Sequence, residues 1–395
     1  MAKTMKASIT PAVLKWAREK RFQLGIDYAA KKSYVKPEQL AAWENGADQP
    51  TFAQLKKIAN TYKTHVSIFY LPEPPATFEP LADHRELPER LATDEKQSRE
   101  LEDQAYRLNA NVIEAYERRA TLIEFYKLLG ESPPEVTLIL SETDARERAA
   151  REIRDFLQFN TELLQQCNDD RSALKFWRQI VEEKGILVCQ TSVNTHLSLE
   201  LETVRGFCIA QKPLPVIVVN PKDSPYGRIF TIVHELVHIA LGKSVVQNTE
   251  LRQVRPPDNP TEVFCNEVAA EVLVPADELS KRVNRHTLET DLTQISKHFR
   301  VSPEVIMRRL LTLGYISRQK YQAYRKKQQD RHKDSSGKPI VVPHHYKLLN
   351  TSGEHFARTA FRAYYDQKIT IADLSDAFSK CDPKHLFEIE SIFFA

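Results

Sequence analysis

The chain has 395 residues, of which 42% are hydrophobic and 28% are charged. This composition predicts two or three globular domains and argues against a disordered chain. No run of 18 apolar residues occurs and the first residues lack an apolar signal core, so we expect no membrane span and no secretory signal. Five scattered cysteines without a C-x-x-C pair predict reduced thiols in the cytoplasm, without a disulfide framework or a cysteine zinc knuckle.

The formal net charge is only +3, but it is distributed unevenly. Residues 1–75 contain twelve Lys and Arg against six Asp and Glu, so this segment carries +6 and the rest of the chain −3. A basic module on a mildly acidic body is expected where only the N-terminal part contacts a polyanion such as DNA. A helical domain that is merely soluble fits the same charge, so this alternative stays open.

Apolar residues at helical spacing predict five short helices in the first 70 residues. Pro11 and Pro37 suit the first turns of the first and third helices, and Thr51 suits the N-cap of the fourth. The predicted helices span 11–17, 26–32, 37–45 and 52–62, with a short one around 68–69. This arrangement is typical of a helix-turn-helix domain, which we place at 1–71.

In this interpretation the segment 35–45 carries the helix that reads DNA. The expected major-groove residues are Lys36, Glu38, Gln39 and Ala42. The expected phosphate contacts are Lys31, Lys32 and Asn45. Trp43 is interpreted as a core anchor and not as a base contact.

Residues 72–95 contain five prolines and many charges and are predicted to form a linker or an extended strap. Two charged helical stretches, at about 96–128 and 142–184, form a connecting region over 96–184. Short apolar runs then predict three strands, at 185–190, 205–210 and 215–220. Three strands that lead into a helix suggest a small sheet supporting a catalytic helix.

That helix contains the motif H-E-x-x-H, formed by His234, Glu235 and His238. On an α-helix the two histidines lie one turn apart on the same face, so both imidazoles can bind one ion. Two histidines and a carboxylate leave one position on zinc open for water, and zinc lowers the pKa of that water. Glu235 lies off the ligand face but within reach of the water, where it can act as a general base. The apolar flanks predict a buried helix, in which polar groups are costly unless a partner such as a metal is bound.

A third ligand is expected on the apolar helix predicted after residue 260. Glu262 and Asn266 fall on one face together with two alanines, which would allow close approach to the first helix. Glu271 lies on a different face and is the competing candidate. Spacing alone favours Glu262 without excluding Glu271.

Together these motifs resemble the ImmA/IrrE metallopeptidase family. The second motif is E-x-x-(A/C)-N-x-(F/V)-A-x-E-(L/V)-L-x-P, and the resemblance implies that its first residue, Glu262, is the third zinc ligand. Cys265 and Val268 depart from the usual Ala and Phe but are not proposed ligands. Leu40-Ala-Ala-Trp-Glu44 is among the pieces that extend the resemblance to proteins in which an XRE-type helix-turn-helix precedes the peptidase domain. The peptidase domain is expected at 185–324.

The expected fold class is therefore a multidomain, α-rich α+β protein. It comprises an all-α helix-turn-helix domain, a zincin-like domain with a small sheet, and a small helical C-terminal region at 341–395. Helices are predicted over 290–324 and 356–365. Within the first of these, 295–309 resembles a small helix-turn-helix that packs beside the catalytic core in the family. Residues 325–340 are basic and polar and are predicted to form a flexible loop.

Comparison with XRE-type domains also reveals two features that weaken the DNA-binding interpretation. Asp27 lies where those domains often carry a polar residue that contacts phosphate. Tyr34 occupies a turn position where glycine is usual, which requires a different turn geometry or strain. A protein-interaction module is therefore the alternative role for this domain.

Other residues with metal-binding or catalytic chemistry have weaker support. His286, His298 and the pair at 344–345 are interpreted as ordinary polar residues, because none has a partner at ligand spacing. Tyr226, or another Tyr or His, would stabilise an oxyanion, but the sequence does not select one.

The resemblance implies a cytoplasmic zinc endopeptidase with few protein substrates, above all a transcriptional repressor, in a stress or mobile-element response. Its N-terminal domain would bring it to an operator or to the repressor, as a homodimer by analogy with XRE-type domains. The alternative is a DNA-binding regulator or the antitoxin of a toxin–antitoxin pair, in which the peptidase fold is a sensor or binds the partner. A purely structural zinc site is disfavoured, because two histidines and one glutamate leave an open coordination position.

Overall fold

The computed structural model describes residues 6–75, 95–192, 195–244, 246–248, 259–283, 288–333 and 342–394. Most of the strap predicted at 72–95 lies outside these residues. The chain divides into two compact units. The first comprises Met1–Tyr116 with Asn194–Leu199, and the second comprises Glu117–Val193 with Glu200–Ala395. Within the described ranges, no helix combines the length and the apolar character needed to cross a membrane.

Short helices form the first unit, as the sequence predicts. The α-helices are α1 (Pro11–Trp16), α2 (Ile26–Lys32), α3 (Pro37–Glu44), α4 (Phe52–Thr61) and the long α5 (Glu95–Leu128), which continues into the second unit. A π turn over Ala17–Arg21 extends α1, and a 3-10 turn over Val66–Tyr70 is the fifth predicted helix. Pro11 and Pro37 occupy first turns and the hydroxyl of Thr51 caps α4. The predicted helix starts are therefore confirmed.

An apolar core holds the helices of the first unit together. Trp43 has only 2% of its surface exposed, which confirms its predicted role as a core anchor. The other large buried side chains of this core include Leu14, Phe22, Leu40, Leu55, Tyr62 and Phe69. Tyr34 lies between α2 and α3 with φ of 56° and 83% of its surface exposed. It therefore keeps the left-handed turn usual for glycine, at a cost of about 1–2 kcal/mol.

Two helices replace the single helical stretch predicted over 142–184. They are α6 (Arg146–Leu157) and α7 (Asp170–Glu182). Helix α6 ends at Gln158, whose φ of 54° is left-handed, and α7 restarts at Asp169, whose side chain accepts a hydrogen bond from the backbone. The prediction of one helix was wrong because these local caps interrupt a segment whose residues otherwise favour helix.

A mixed sheet of four strands lies at the centre of the second unit. The strands are β1 (Leu187–Gln190), β2 (Val204–Ile209), β3 (Val216–Val219) and β4 (Val246–Asn248). Their order is β1-β3-β2-β4; β1 runs parallel to β3, and β2 is antiparallel to both β3 and β4. The first three strands lie where the apolar runs predict them. The fourth was missed because three residues are too short to show a strand pattern.

Helix α8 (Pro225–Ala240) carries the H-E-x-x-H motif, and α9 (Pro260–Leu273) carries the second motif. Each begins with a proline after a capping residue, Ser224 or Asn259. Every residue of α8 from 231 to 240 is buried, as its apolar flanks predict. Because α8 packs against α7, α9 and β2, the motif lies in the interior of the second unit.

Further helices complete the second unit. They are α10 (Ala276–Ser280), α11 (Leu288–Phe299), α12 (Pro303–Thr312), α13 (Arg318–Lys333), α14 (His344–Ser352), α15 (Glu354–Tyr365), α16 (Ile371–Ala377) and α17 (Pro383–Phe394). The prediction of a loop over 325–340 is wrong for residues 325–333, because α13 extends through them to Lys333. Lys, Arg and Gln dominate this segment without Gly or Pro, and they are good helix formers. Residues 334–340 of the predicted loop lie outside the described residues.

Glu182, at the end of α7, joins α15 to β1. Its two carboxylate oxygens accept backbone hydrogen bonds from His355 at 3.3 Å and from Val188 at 3.4 Å. Burial raises the pKa of Glu182 from 4.5 to about 7, against the lowering effect of Arg178 and together with the raising effect of Glu354. Because this pKa is higher in the folded state, the associated stability is full below about pH 4.5 and is lost as the pH rises through about 7.

We therefore expect the Glu182→Gln variant to lack this pH dependence. Between pH 4.5 and pH 8 the free energy of unfolding of the wild type should fall by about 3 kcal/mol relative to that of the variant. Urea unfolding at several pH values measures the difference, with Glu183→Gln, an exposed neighbour on the same helix end, as the control. Equal pH slopes for the wild type and Glu182→Gln would contradict the expectation.

Candidate metal centre

His234 and His238 lie one turn apart on α8 and are fully buried. Their Nε2 atoms are 3.0 Å apart, and their rings meet at 61° with centroids 4.8 Å apart. The structure thus brings together the two imidazoles that the spacing places on one helix face.

Glu262, in the first turn of α9, contacts both histidines. Its Oε2 lies 3.3 Å from Nε2 of His234, and its Oε1 lies 3.1 Å from Nε2 of His238. Across the described ranges, these three residues form the only group of three His, Cys, Asp or Glu whose ligand atoms all lie within 4.8 Å of one another.

Glu271, the competing candidate for the third ligand, is committed elsewhere. It forms an ion pair with Arg309 of α12, and its Oε1 accepts a hydrogen bond from the backbone N–H of Ala276 at 3.0 Å. Its carboxylate therefore holds α9 to its neighbours on the side away from the histidines.

The donor atoms of the three residues fit a small divalent cation. A tetrahedral zinc ion with ligands at about 2.0–2.2 Å separates its ligand atoms by about 3.4 Å. The two Nε2 atoms are 3.0 Å apart, and the carboxylate oxygen of Glu262 in contact with each of them lies at 3.1 Å or 3.3 Å. Burial on its own raises the pKa of Glu262, but hydrogen bonds from His234 and His238 and their charges hold it well below its usual range. An ionised carboxylate and two imidazoles are ligands that zinc prefers.

Glu235 has no exposed surface and lies close enough to His238 and Glu262 for their charges to affect it. Neither of its carboxylate oxygens has a hydrogen-bond partner of normal geometry among the described residues. Burial raises the pKa of Glu235 to about 8; the charge of His238 lowers it, that of Glu262 raises it, and the nearby thiol of Cys208 lowers it slightly. A buried carboxylate without well-formed hydrogen bonds is costly, and its closeness to His238 and Glu262 suits a group that exchanges protons there.

Gly206 on β2 allows the sheet to approach α8 beside Glu235. A Cβ atom at residue 206 would lie 2.4 Å from Cγ2 of Thr231, 2.8 Å from the backbone oxygen of Val218 and 3.8 Å from Oε1 of Glu235. Gly206 was not predicted as a site residue. A glycine inside a strand does indicate a close approach of this kind, and this signal could have identified it.

The residues predicted to contact DNA lie on the surface of the first unit. The exposed ones are Lys31, Lys36, Glu38, Gln39 and Asn45, and the partly buried ones are Lys32 and Ala42. Gln39 accepts a hydrogen bond from the backbone N–H of Lys36 at 3.3 Å, and Asn45 accepts one from Ala47 at 2.9 Å. The first contact lies at the start of α3 and the second lies just after its end. Both leave the outer face of α3 accessible. The DNA contacts themselves stay predictions.

Lys32 differs from the other predicted phosphate contacts because its charge already has partners in the first unit. Its Nζ lies 2.9 Å from Oδ1 of Asp103 on α5. It also lies 5.4 Å and 5.1 Å from the ring centres of Tyr28 and Tyr106. A phosphate would compete with Asp103 for this ammonium group.

Within the described residues, none of the other predicted candidates belongs to the group of His234, His238 and Glu262. Tyr226 is partly buried in the first turn of α8, where burial raises its pKa. Nδ1 of His345 and Nδ1 of His385 lie 3.0 Å and 2.8 Å from Oε2 of Glu388. The contact with Glu388 therefore agrees with the interpretation of His345 as an ordinary polar residue. His286 lies outside the described residues.

Two segments of the chain match known protein families. Residues 181–311 match the model described as an IrrE N-terminal-like domain, and residues 14–69 match the helix-turn-helix model. No curated protein and no solved structure matches the chain significantly. The matched segments contain the trio and the exposed helix α3, respectively. The chain therefore joins an N-terminal helix-turn-helix domain of the XRE type to a peptidase-like domain of the ImmA/IrrE type, in the order that the sequence motifs imply.

Proposed function

We propose that the protein is a cytoplasmic, zinc-dependent endopeptidase with a DNA-binding domain. The observation that carries this proposal is the convergence of His234, His238 and Glu262 beside the buried carboxylate of Glu235. Five free, buried cysteines agree with a reducing compartment. The match of residues 181–311 to the IrrE-like model supports peptidase chemistry over other uses of such a site.

In this proposal His234, His238 and Glu262 hold the zinc ion. Zinc supplies Lewis acidity to a peptide carbonyl and to water. Glu235 accepts a proton from the attacking water and transfers it to the nitrogen of the leaving amine. Its burial favours this role, since burial raises the pKa of Glu235 above that of an exposed carboxylate, and a stronger base accepts a proton more readily.

We infer that the substrate is a protein, namely a transcriptional repressor whose cleavage relieves repression during stress or mobile-element transfer. The helix-turn-helix domain would locate the enzyme at the operator or at the repressor. Its exposed face on α3 offers Lys36, Gln39 and Asn45 to DNA.

A second candidate is a DNA-binding regulator or antitoxin that uses the peptidase-like unit to bind a toxin or a signal. The exposed outer face of α3 favours this candidate, because that face can bind DNA whether or not the second unit is catalytic. A homodimer on a two-fold operator is expected in both cases. The intact Glu235 favours the enzyme, since a binding site has no need of a general base.

Elemental analysis of purified protein tests the metal site first. We expect about one zinc per chain in the wild type and in Glu235→Gln, and a strong loss in Glu262→Gln, because only the last removes a ligand charge. Glu267→Gln is the matched control, since Glu267 lies on the same helix and is 40% exposed in an ion pair with Arg146. Wild-type protein that lacks zinc and cannot be reloaded would contradict the peptidase proposal and leave the regulator.

A further inference from the structure

Three side chains meet at the edge of the candidate metal centre. Oε1 of Glu142 accepts hydrogen bonds from Nζ of Lys243 at 2.5 Å and from the hydroxyl of Thr261. Nζ of Lys243 also donates to Oγ1 of Thr261, at 3.0 Å. Each of the three groups therefore contacts the other two, and we call them the brace.

The brace joins three segments of the second unit. Glu142 follows Leu140, whose backbone N–H donates to the carbonyl of Ala240 at the end of α8 at 2.9 Å. Lys243 follows the same helix end, and its backbone N–H donates to the carbonyl of the ligand His238 at 2.9 Å. Thr261 lies in the first turn of α9, directly before Glu262.

Among the described residues, neither histidine has the second hydrogen bond that usually fixes a metal-binding imidazole. A zinc-bound histidine normally donates its second ring N–H to a carboxylate or a carbonyl. Here Nδ1 of His234 and Nδ1 of His238 are buried without a hydrogen-bond partner among the described residues. The relative position of the ligands therefore depends on how the start of α9 is held against the end of α8.

We propose that Glu142 and Lys243 are positioning residues that hold Glu262 at the metal by fixing the first turn of α9. The inference rests on the proposed metallopeptidase function and names residues that act on the metal through Glu262. Removing such supporting groups lowers metal affinity by about 10–100-fold in known sites.

A plain surface ion pair would behave differently. Lys243 and Glu142 are 45% and 38% exposed, and exposed ion pairs add little to folding stability. A structural role alone therefore predicts nearly unchanged zinc affinity. The proposed role predicts a large loss of zinc affinity with a small change in thermal stability.

The chain contains a matched control for the brace. Nε of Arg146 lies 2.9 Å from Oε2 of Glu267, and the two side chains are 38% and 40% exposed. This pair joins the start of α6 to α9, but neither of its residues adjoins Glu262 in the chain. Glu267→Gln should therefore leave zinc affinity unchanged.

The test is the zinc dissociation constant, measured by competition with a chromophoric chelator on the full chain. Glu142→Gln and Lys243→Met should bind zinc about 10–100-fold more weakly than the wild type, whereas Glu267→Gln should stay within about twofold. The exchanged pair Glu142→Lys with Lys243→Glu should recover most of the lost affinity, because the hydroxyl of Thr261 can donate or accept. Thermal unfolding of each zinc-free variant shows that the fold is retained.

The outcomes separate the two proposals. Zinc binding by Glu142→Gln and Lys243→Met at the wild-type affinity would overturn the brace and leave the metallopeptidase proposal intact. Equal losses in these variants and in Glu267→Gln would also overturn it, because the effect would then be general to α9. A wild type that binds no zinc would overturn both proposals. If Glu142→Gln does not fold, the exchanged pair decides by itself: recovered affinity supports the brace and lost affinity contradicts it.

Discussion

Replacing Glu235 by glutamine is expected to abolish peptide cleavage while leaving zinc content unchanged. Glutamine has almost the same shape but cannot accept a proton from water, and general base catalysis contributes about 10²–10⁴-fold to such reactions. Both carboxylate oxygens of Glu235 lack a hydrogen-bond partner of normal geometry among the described residues. The substitution therefore breaks no well-formed hydrogen bond of the folded chain, and the loss of rate should be free of a loss of stability.

The measurement uses a peptide library prepared from a bacterial proteome, incubated with zinc-loaded protein and read by mass spectrometry as new N-termini. The most strongly cleaved peptide then serves for single-turnover rates of the wild type, Glu235→Gln and the control Glu267→Gln. A Glu235→Gln protein that cleaves at the wild-type rate would remove the general base from the mechanism. A folded, zinc-loaded wild type that produces no new termini would favour the regulator or antitoxin.

The metal-binding helix could be predicted from sequence because its information is local. His234 and His238 lie on one face whenever their segment is helical, and the apolar flanks that bury the motif adjoin it in the chain. The third ligand, Glu262, was harder to predict, since the spacing did not exclude Glu271. Family resemblance favoured Glu262, and the structure shows a reason at the atomic level: Arg309, far along the chain, already binds Glu271.

The parts that sequence reasoning missed depend on contacts between distant segments. No pattern around Glu142 indicates that its carboxylate meets Lys243 and Thr261, because the three residues belong to separate segments. Likewise, Lys32 carries no local sign that Asp103 neutralises it. The C-terminal helices were predicted only in part, because they contact residues distant in the chain, as α15 does where the backbone N–H of His355 donates to Glu182 on α7.

The contact between β2 and α8 gives the second large expected effect, through Gly206→Ala. The new methyl group would lie 2.4 Å from Cγ2 of Thr231 and 2.8 Å from the carbonyl oxygen of Val218, so the strand or the helix must move. Overpacking of this kind costs about 1–3 kcal/mol. The shift occurs beside Glu235, so the variant should also lose at least about tenfold in cleavage rate, since small misplacements of reacting groups are costly. Zinc affinity should change little, because the ligands lie on the side of α8 that faces α9.

A second substitution distinguishes this close approach from a general effect of alanine in a strand. Thr231→Ser removes Cγ2, the atom nearest to the new methyl group, and keeps the hydroxyl. The double variant Gly206→Ala with Thr231→Ser should therefore regain part of the lost free energy of unfolding and part of the lost rate, while the contact with the carbonyl oxygen of Val218 remains. Urea unfolding and the single-turnover assay measure both quantities in a double-mutant cycle. Additive effects of the two substitutions would show that Gly206 serves the flexibility of the strand, whereas coupling between them would show that it sets the distance between the sheet and the helix that carries Glu235.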